Sequence, residues 1–267
     1  MQKKTKNLTR WWDWQSAILG LVVVQVAAAR LVATKWTDHL TLTQMVGLLG
    51  LLLGLALGQS IFSRIAAGLL AIAYGVCIIP WQLAMTLDMG IGWAERLLSL
   101  KGRLAVVLQE LLKQDAITDN ILFLLLMALV FWIVGVYVGF TLVRYAHAWR
   151  VVLPVGLTIF IIHSFDPLLS SRTWYLAFYL FFALLLVARI TFLKNRAIWK
   201  QHHTHVPPDV GFDMARFTAL VALVLVLFAW NIPVVAETLR PVANVWRTAT
   251  HPWMSLRDRF SYAFASL

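Results

Sequence analysis

Seven stretches of this chain are each apolar over close to the roughly 20 residues a helix needs to cross a bilayer, and no other feature restricts the fold as much. They run 15–33, 43–59, 65–84, 121–143, 151–165, 173–192 and 217–235. Inside hydrocarbon only helices and closed barrels satisfy every backbone N–H and C=O, and apolar runs of this length without strict alternation specify helices. A chain that is 61% hydrophobic and 13% charged has too little polar surface for a water-soluble domain. The reading is an all-α integral membrane protein, a bundle of about seven transmembrane helices with an amphipathic extracytoplasmic interfacial segment. The stretch at 151–165 is short, contains Pro154 and Gly156, and closes on His163 and Asp166, so a re-entrant element is the alternative there.

Lys3, Lys4, Lys6 and Arg10 precede the first stretch, which contains Ala27, Ala28 and Ala29, the outline of a cleavable signal peptide. Tryptophans at 11, 12 and 14, Arg30 just beyond the alanines, and the later apolar stretches fit an uncleaved anchor better. Orientation follows from Lys and Arg in the short connections. The N-terminal tail, the turn at 60–64, the loop at 144–150 and the segment 194–216 carry them, whereas the opposite short loops hold only Lys35 and Arg172. The N-terminus is therefore expected in the cytoplasm and the C-terminus outside, in a multi-pass protein of the cytoplasmic membrane. Of 13 tryptophans, only Trp132 falls in the middle of a span, as an interfacial aromatic belt requires. The net charge of +11 is dispersed among apolar runs, which points to the lipid bilayer as partner and excludes nucleic acid.

Residues 1–236 read as one multi-span domain and 237–267 as an extracytoplasmic amphipathic tail. Within the first, the segment 91–114 puts apolar residues at 93, 97, 100, 104, 107, 108, 111 and 112 on one face. Glu95, Arg96, Lys101, Arg103, Glu110 and Lys113 fall off that face, as in helices lying on the outer membrane surface and broken at Gly102. A protein-contacting face is the alternative. Asp119 and Asn120 then offer caps for the next span. In the tail, Trp253, Leu256, Phe260, Phe264 and Leu267 recur at helical spacing, with Pro252 suited to a first turn. The expectation is a truncated lead into a soluble domain, with a surface anchor as the alternative.

Gly50, Gly54 and Gly58 share one face of the second span, where another backbone can approach closely. Gly68 and Gly75, with Ala67 and Ala71, suggest the third span as partner in an antiparallel hairpin. His163, Asp166 and Arg30 are the functional candidates, because ionisable groups within spans mark ion or substrate paths; a solvated span end and a snorkelling arginine are the structural alternatives. His202, His203 and His205 fit no metal-ligand spacing, so loop composition accounts for them, and no cofactor is expected. Cys77 lies among apolar neighbours that disfavour a thiolate and reads as a buried structural residue. No phosphate loop, paired carboxylates, GxSxG or HExxH is present, so the chain shows no catalytic residues.

RWWDW before the first span, RLLSLKGRLAVVLQELL, the span FLLLMALVFWIVGVYVGFTLVR, PPDVGFD before the last span, and PWMSLRDRFSYAFASL occur in that order. Together they resemble the N-terminal membrane region of bacterial transglutaminase-like membrane proteins. The resemblance implies a multi-span domain ahead of an extracytoplasmic papain-like domain with a Cys-His-Asp triad. No position here matches that triad, so the expected role is a noncatalytic anchor that positions the enzyme domain or its protein substrate. A small transporter or channel subunit, or a membrane scaffold acting through 91–114, is the alternative.

Overall fold

The computed structural model describes residues 12–87, 90, 92–113, 119–166, 173–202 and 209–238. Among them are eight helices and no strand: α1 (Trp14–Thr34), α2 (Leu42–Gln59), α3 (Arg64–Ala84), α4 (Trp93–Lys113), α5 (Ile121–Tyr145), α6 (Ala148–Phe165), α7 (Trp174–Gln201) and α8 (Val210–Thr238). All but α4 are long and apolar enough to cross a membrane, so the chain is an all-α, multi-pass membrane protein. α6 is a continuous 18-residue helix, about 27 Å long at 1.5 Å per residue, which favours a spanning helix over the re-entrant alternative. α1, α3, α6 and α8 begin at one end of the bundle, the near end; α2, α5 and α7 begin at the far end.

Local chemistry starts and stops these helices. The Asp13 carboxylate accepts from Ser16 N at 2.9 Å and caps α1, and Ser63 Oγ accepts from Ala66 N at 3.2 Å and caps α3. Lys35 and Ala146 end α1 and α5 in the left-handed region, at φ 54° and 48°, and return their N–H groups to Val32 O and Leu142 O.

Packing turns on small residues. Gly50, Gly54 and Gly58 of α2 face α5, not α3: an added Cβ would lie 2.9 Å from Trp132 O at Gly50 and 2.9 Å from Val143 Cβ at Gly58, and would run into Val136 O at Gly54. α5 answers with Gly135, whose added Cβ would lie 2.6 Å from Gly47 O, and Gly139, against Leu51 O. Contacts advance in the same direction along both helices, so they run parallel with their backbones interlocked. α3 does neighbour α2, but Gly68 faces open space and Gly75 faces Trp132 of α5.

Glycine also opens two helical carbonyls to aromatic donors. Trp132 Nε1 donates to Ala71 O of α3 at 3.1 Å, and Tyr179 OH of α7 donates to Val152 O of α6 at 2.6 Å. Each acceptor precedes a glycine by four residues, Gly75 and Gly156, where a Cβ would come within 2.7 Å of the donor atom. Side chains at i+4 overhang carbonyl i, so their absence admits the donor.

α4 is one helix that passes through Gly102 without a break. Its Leu100 and Val107 are buried against the bundle, as the protein-contacting alternative holds, while Leu97, Leu98 and Val106 are exposed. Arg96 shares the packed stripe, four residues before Leu100, and sits 5.3 Å from the Trp93 ring instead of facing away. Cys77 is exposed on the outer surface of α3 and not buried as expected, because its position 77 falls opposite the packed stripe of Ala67, Ala71, Gly75 and Ile79. His203, His205, Arg172 and the amphipathic tail beyond 238 lie outside the described residues.

Candidate functional site

α1 buries Gly20, Val23, Ala27, Arg30 and Thr34 along one stripe. The helical period that directs the apolar members inward directs Arg30 inward too, and its side chain is fully buried. It does not snorkel. α6 buries Ile159 and Ile162 on the same side and delivers His163 from its last turn and Asp166 as its C-terminal cap residue.

The three ionisable residues that stand out in the sequence therefore meet at the far end. Arg30 Nη2 lies 2.8 Å from Asp166 Oδ2, with both side chains at most 1% exposed, and 3.2 Å from His163 Nδ1. Arginine can only donate, so His163 accepts at Nδ1 and carries its proton on Nε2. The guanidinium lies beside the C-terminal end of α6, where that helix's dipole presents its negative pole. Among the described residues Arg30 Nε and Nη1 have no hydrogen-bond partner. A buried donor left unpaired costs about 1–3 kcal/mol, so the cluster holds hydrogen-bonding capacity in reserve for a carbonyl, a water or an anion oxygen.

Two exposed or half-buried ion pairs frame this one. Asp13 accepts from Arg189 of α7 at 2.9 and 3.2 Å, tying the start of α1 to α7 at the near end. Partial burial pushes the Asp13 carboxyl up, but the bonds from Arg189 and Ser16 outweigh it and hold the carboxyl below its usual value. At the far end Arg103 of α4 clamps Asp119 with two bonds, 2.6 and 2.7 Å, while Asp119 also accepts from Ile121 N at 3.0 Å. The Arg103 bonds, opposed by modest burial, keep the Asp119 carboxyl below the ordinary range. This pair borders a cleft of about 530 Å³ that also touches Asp38, His39, Thr86 and Asn120.

No family model, curated protein or solved structure matches this chain.

Chemically the Arg30 cluster provides a cation, a carboxylate and an imidazole, and the thiol of Cys77 is remote from them on the outer surface of α3. Among the described residues no group of His, Cys, Asp and Glu could hold a metal ion. Sequence reasoning picked out Arg30, and His163 with Asp166 at one span end, without joining them. It missed the pairing of Asp13 with Arg189 and the Trp132 and Tyr179 contacts, for which the signals were a tryptophan in mid-span and glycines in mid-helix.

Proposed function

We propose that this chain is a noncatalytic membrane domain that anchors and positions an extracytoplasmic transglutaminase-like thiol acyltransferase or peptidase domain. On this reading it resides in a bacterial cytoplasmic membrane with the near end in the cytoplasm and the C-terminal tail outside. The observation that supports it most is the packing: α2 and α5 interlock backbone to backbone, and α1 is tied at one end to α7 and at the other to α6. A platform that presents an enzyme at fixed height needs helices that do not slide, and close glycine packing with buried polar ties supplies that. The basic residues at the near end, among them Arg64, Arg144, Arg150 and Arg196, favour the cytoplasmic side for it. By resemblance the partner domain brings the Cys nucleophile, the His base and the Asp that orients it.

The test labels native membranes with a thiol-reactive acyl-enzyme probe and maps the modified cysteine in the polypeptide that carries this chain. The expected result is labelling at a cysteine other than Cys77 in a polypeptide heavier than 30.2 kDa. Labelling confined to Cys77, in a polypeptide of that mass, overturns the reading.

A second reading, a small transporter or channel subunit, draws on the buried Arg30, His163 and Asp166 cluster, since ionisable residues inside a bundle mark ion or solute paths. His163→Ala, and Arg30→Met combined with Asp166→Leu, abolish flux into proteoliposomes if this reading holds and leave thiol labelling unchanged if the anchor reading holds.

A further inference from the structure

Between α3 and α5 runs a groove of about 600 Å³, open to the side and walled almost wholly by carbon. Its floor is low because Ala67, Gly68, Ala71 and Gly75 project little or nothing, and Trp132 closes it from beneath through its bond to Ala71 O. A Cβ added at Gly68 meets nothing within 4 Å. From Arg64 at one end to Pro80 at the other, the α3 side is about 24 Å long at the helical rise. A long, shallow, carbon-walled groove of this kind offers a bed along which an extended hydrocarbon chain can lie in contact with protein.

The groove is apolar along its length and cationic at its near end. Arg64 lines it in the first turn of α3, with its guanidinium 5.1 Å from the Tyr145 ring; Arg150 stands 5.8 Å from the same ring. Arg144 donates to Ser60 O and Phe62 O at 3.1 Å each, and lies 5.6 Å from Phe140, a residue of the groove. Among the described residues no carboxylate pairs with Arg64, Arg144 or Arg150. The start of α3 adds the positive pole of its dipole at the same point.

We propose that this groove is a specific site for an anionic glycerophospholipid, with one fatty-acyl chain on the Ala67 to Gly75 floor and the headgroup phosphate against Arg64 and Arg150. A surface cation contributes to anionic-lipid affinity, and an apolar groove running away from it fixes where that lipid lies. This inference is independent of the anchor reading, because it concerns the lateral surface of the bundle and not a domain attached beyond the last helix.

The test compares wild type with Gly68→Phe, Arg64→Gln and Leu69→Phe. Gly68→Phe enters space already open and replaces glycine by a better helix former, so the helix is kept while the groove is filled. Leu69 is exposed and outside the groove, and serves as the control. Each protein is delipidated, offered mixed micelles of phosphatidylglycerol and phosphatidylcholine, and weighed by native mass spectrometry, with circular dichroism to establish folding. Wild type and Leu69→Phe are expected to retain one phosphatidylglycerol per chain, and Gly68→Phe to retain none. Arg64→Gln is expected to keep a lipid but lose about fivefold of its preference for the anionic headgroup. Equal retention by Gly68→Phe and Leu69→Phe overturns the site. An unchanged preference in Arg64→Gln overturns the headgroup assignment, and a wild-type dimer that Gly68→Phe dissociates overturns the lipid in favour of a second copy. Should Gly68→Phe fail to fold, Gly68→Leu replaces it under the same criteria.

Discussion

Arg30 combines complete burial with one charge partner among the described residues, and the energetics of such a pair are lopsided. Desolvating two ions costs several kcal/mol, which their attraction about repays; losing one partner leaves the other charge stranded. Asp166→Ala is therefore expected to destabilise the bundle by about 3–5 kcal/mol, whereas Arg30→Met with Asp166→Leu recovers most of that loss, as read by thermal unfolding in mild detergent. His163→Ala removes one bond and is expected to cost about 0.6 kcal/mol, the average for a hydrogen bond between membrane helices. Asp119 behaves differently because it stays near water. Its carboxyl titrates lower in the folded protein than in the unfolded chain, so its tie to Arg103 contributes fully above the ordinary carboxylate value of 3.8 and is lost as pH falls through the lower folded value. Protection of the α4 amides, corrected for intrinsic exchange, should thus be flat from neutral pH to about 5 and fall only in stronger acid. With Arg103 43% exposed, the pair adds no more than about 1 kcal/mol.

At the level of elements, two glycines of the same type have opposite tolerances. Gly54→Val drives a side chain into the Val136 backbone and is expected to separate α2 from α5, costing about 1–3 kcal/mol or more by overpacking, whereas Gly68→Ala leaves the melting temperature unchanged or raised. A melting series in one detergent checks both. Nothing in GLLGLLLGLALG distinguished α3 from α5 as the partner of α2, because periodicity defines a face and not the neighbour that covers it. Hydropathy is a local property, and the spans accordingly agree closely: 121–143 by sequence, Ile121–Tyr145 in the structure. α7 runs on past 192 to Gln201 and α8 starts before 217 at Val210, since a helix can continue through polar residues after it leaves the apolar layer. The division of α4 at Gly102 failed for a related reason: one glycine costs a helix about 1 kcal/mol, and Leu100 and Val107 packing on either side outweighs it.

Across the whole molecule, α1 lies against α7, α6, α2 and α5, while α8 packs on α7 and leaves Phe212, Phe217 and Phe228 exposed. Residue types at the candidate site were legible in the sequence, since charges inside apolar runs stand out; their convergence was not, because Arg30 and His163 are 133 residues apart and no local pattern links them. That separation also sets a timetable for synthesis. α1 reaches the membrane before α6 and brings a charge whose partners have not yet been made, and at about 5–20 residues per second they emerge on the order of ten seconds later. Until α6 arrives, Arg30 has to be held near an interface, by the insertion machinery or by its own long stem, and it can be drawn inside only when His163 and Asp166 appear. The ion pair is therefore a late contact of assembly: α1 can bury its charge only once α6 lies beside it.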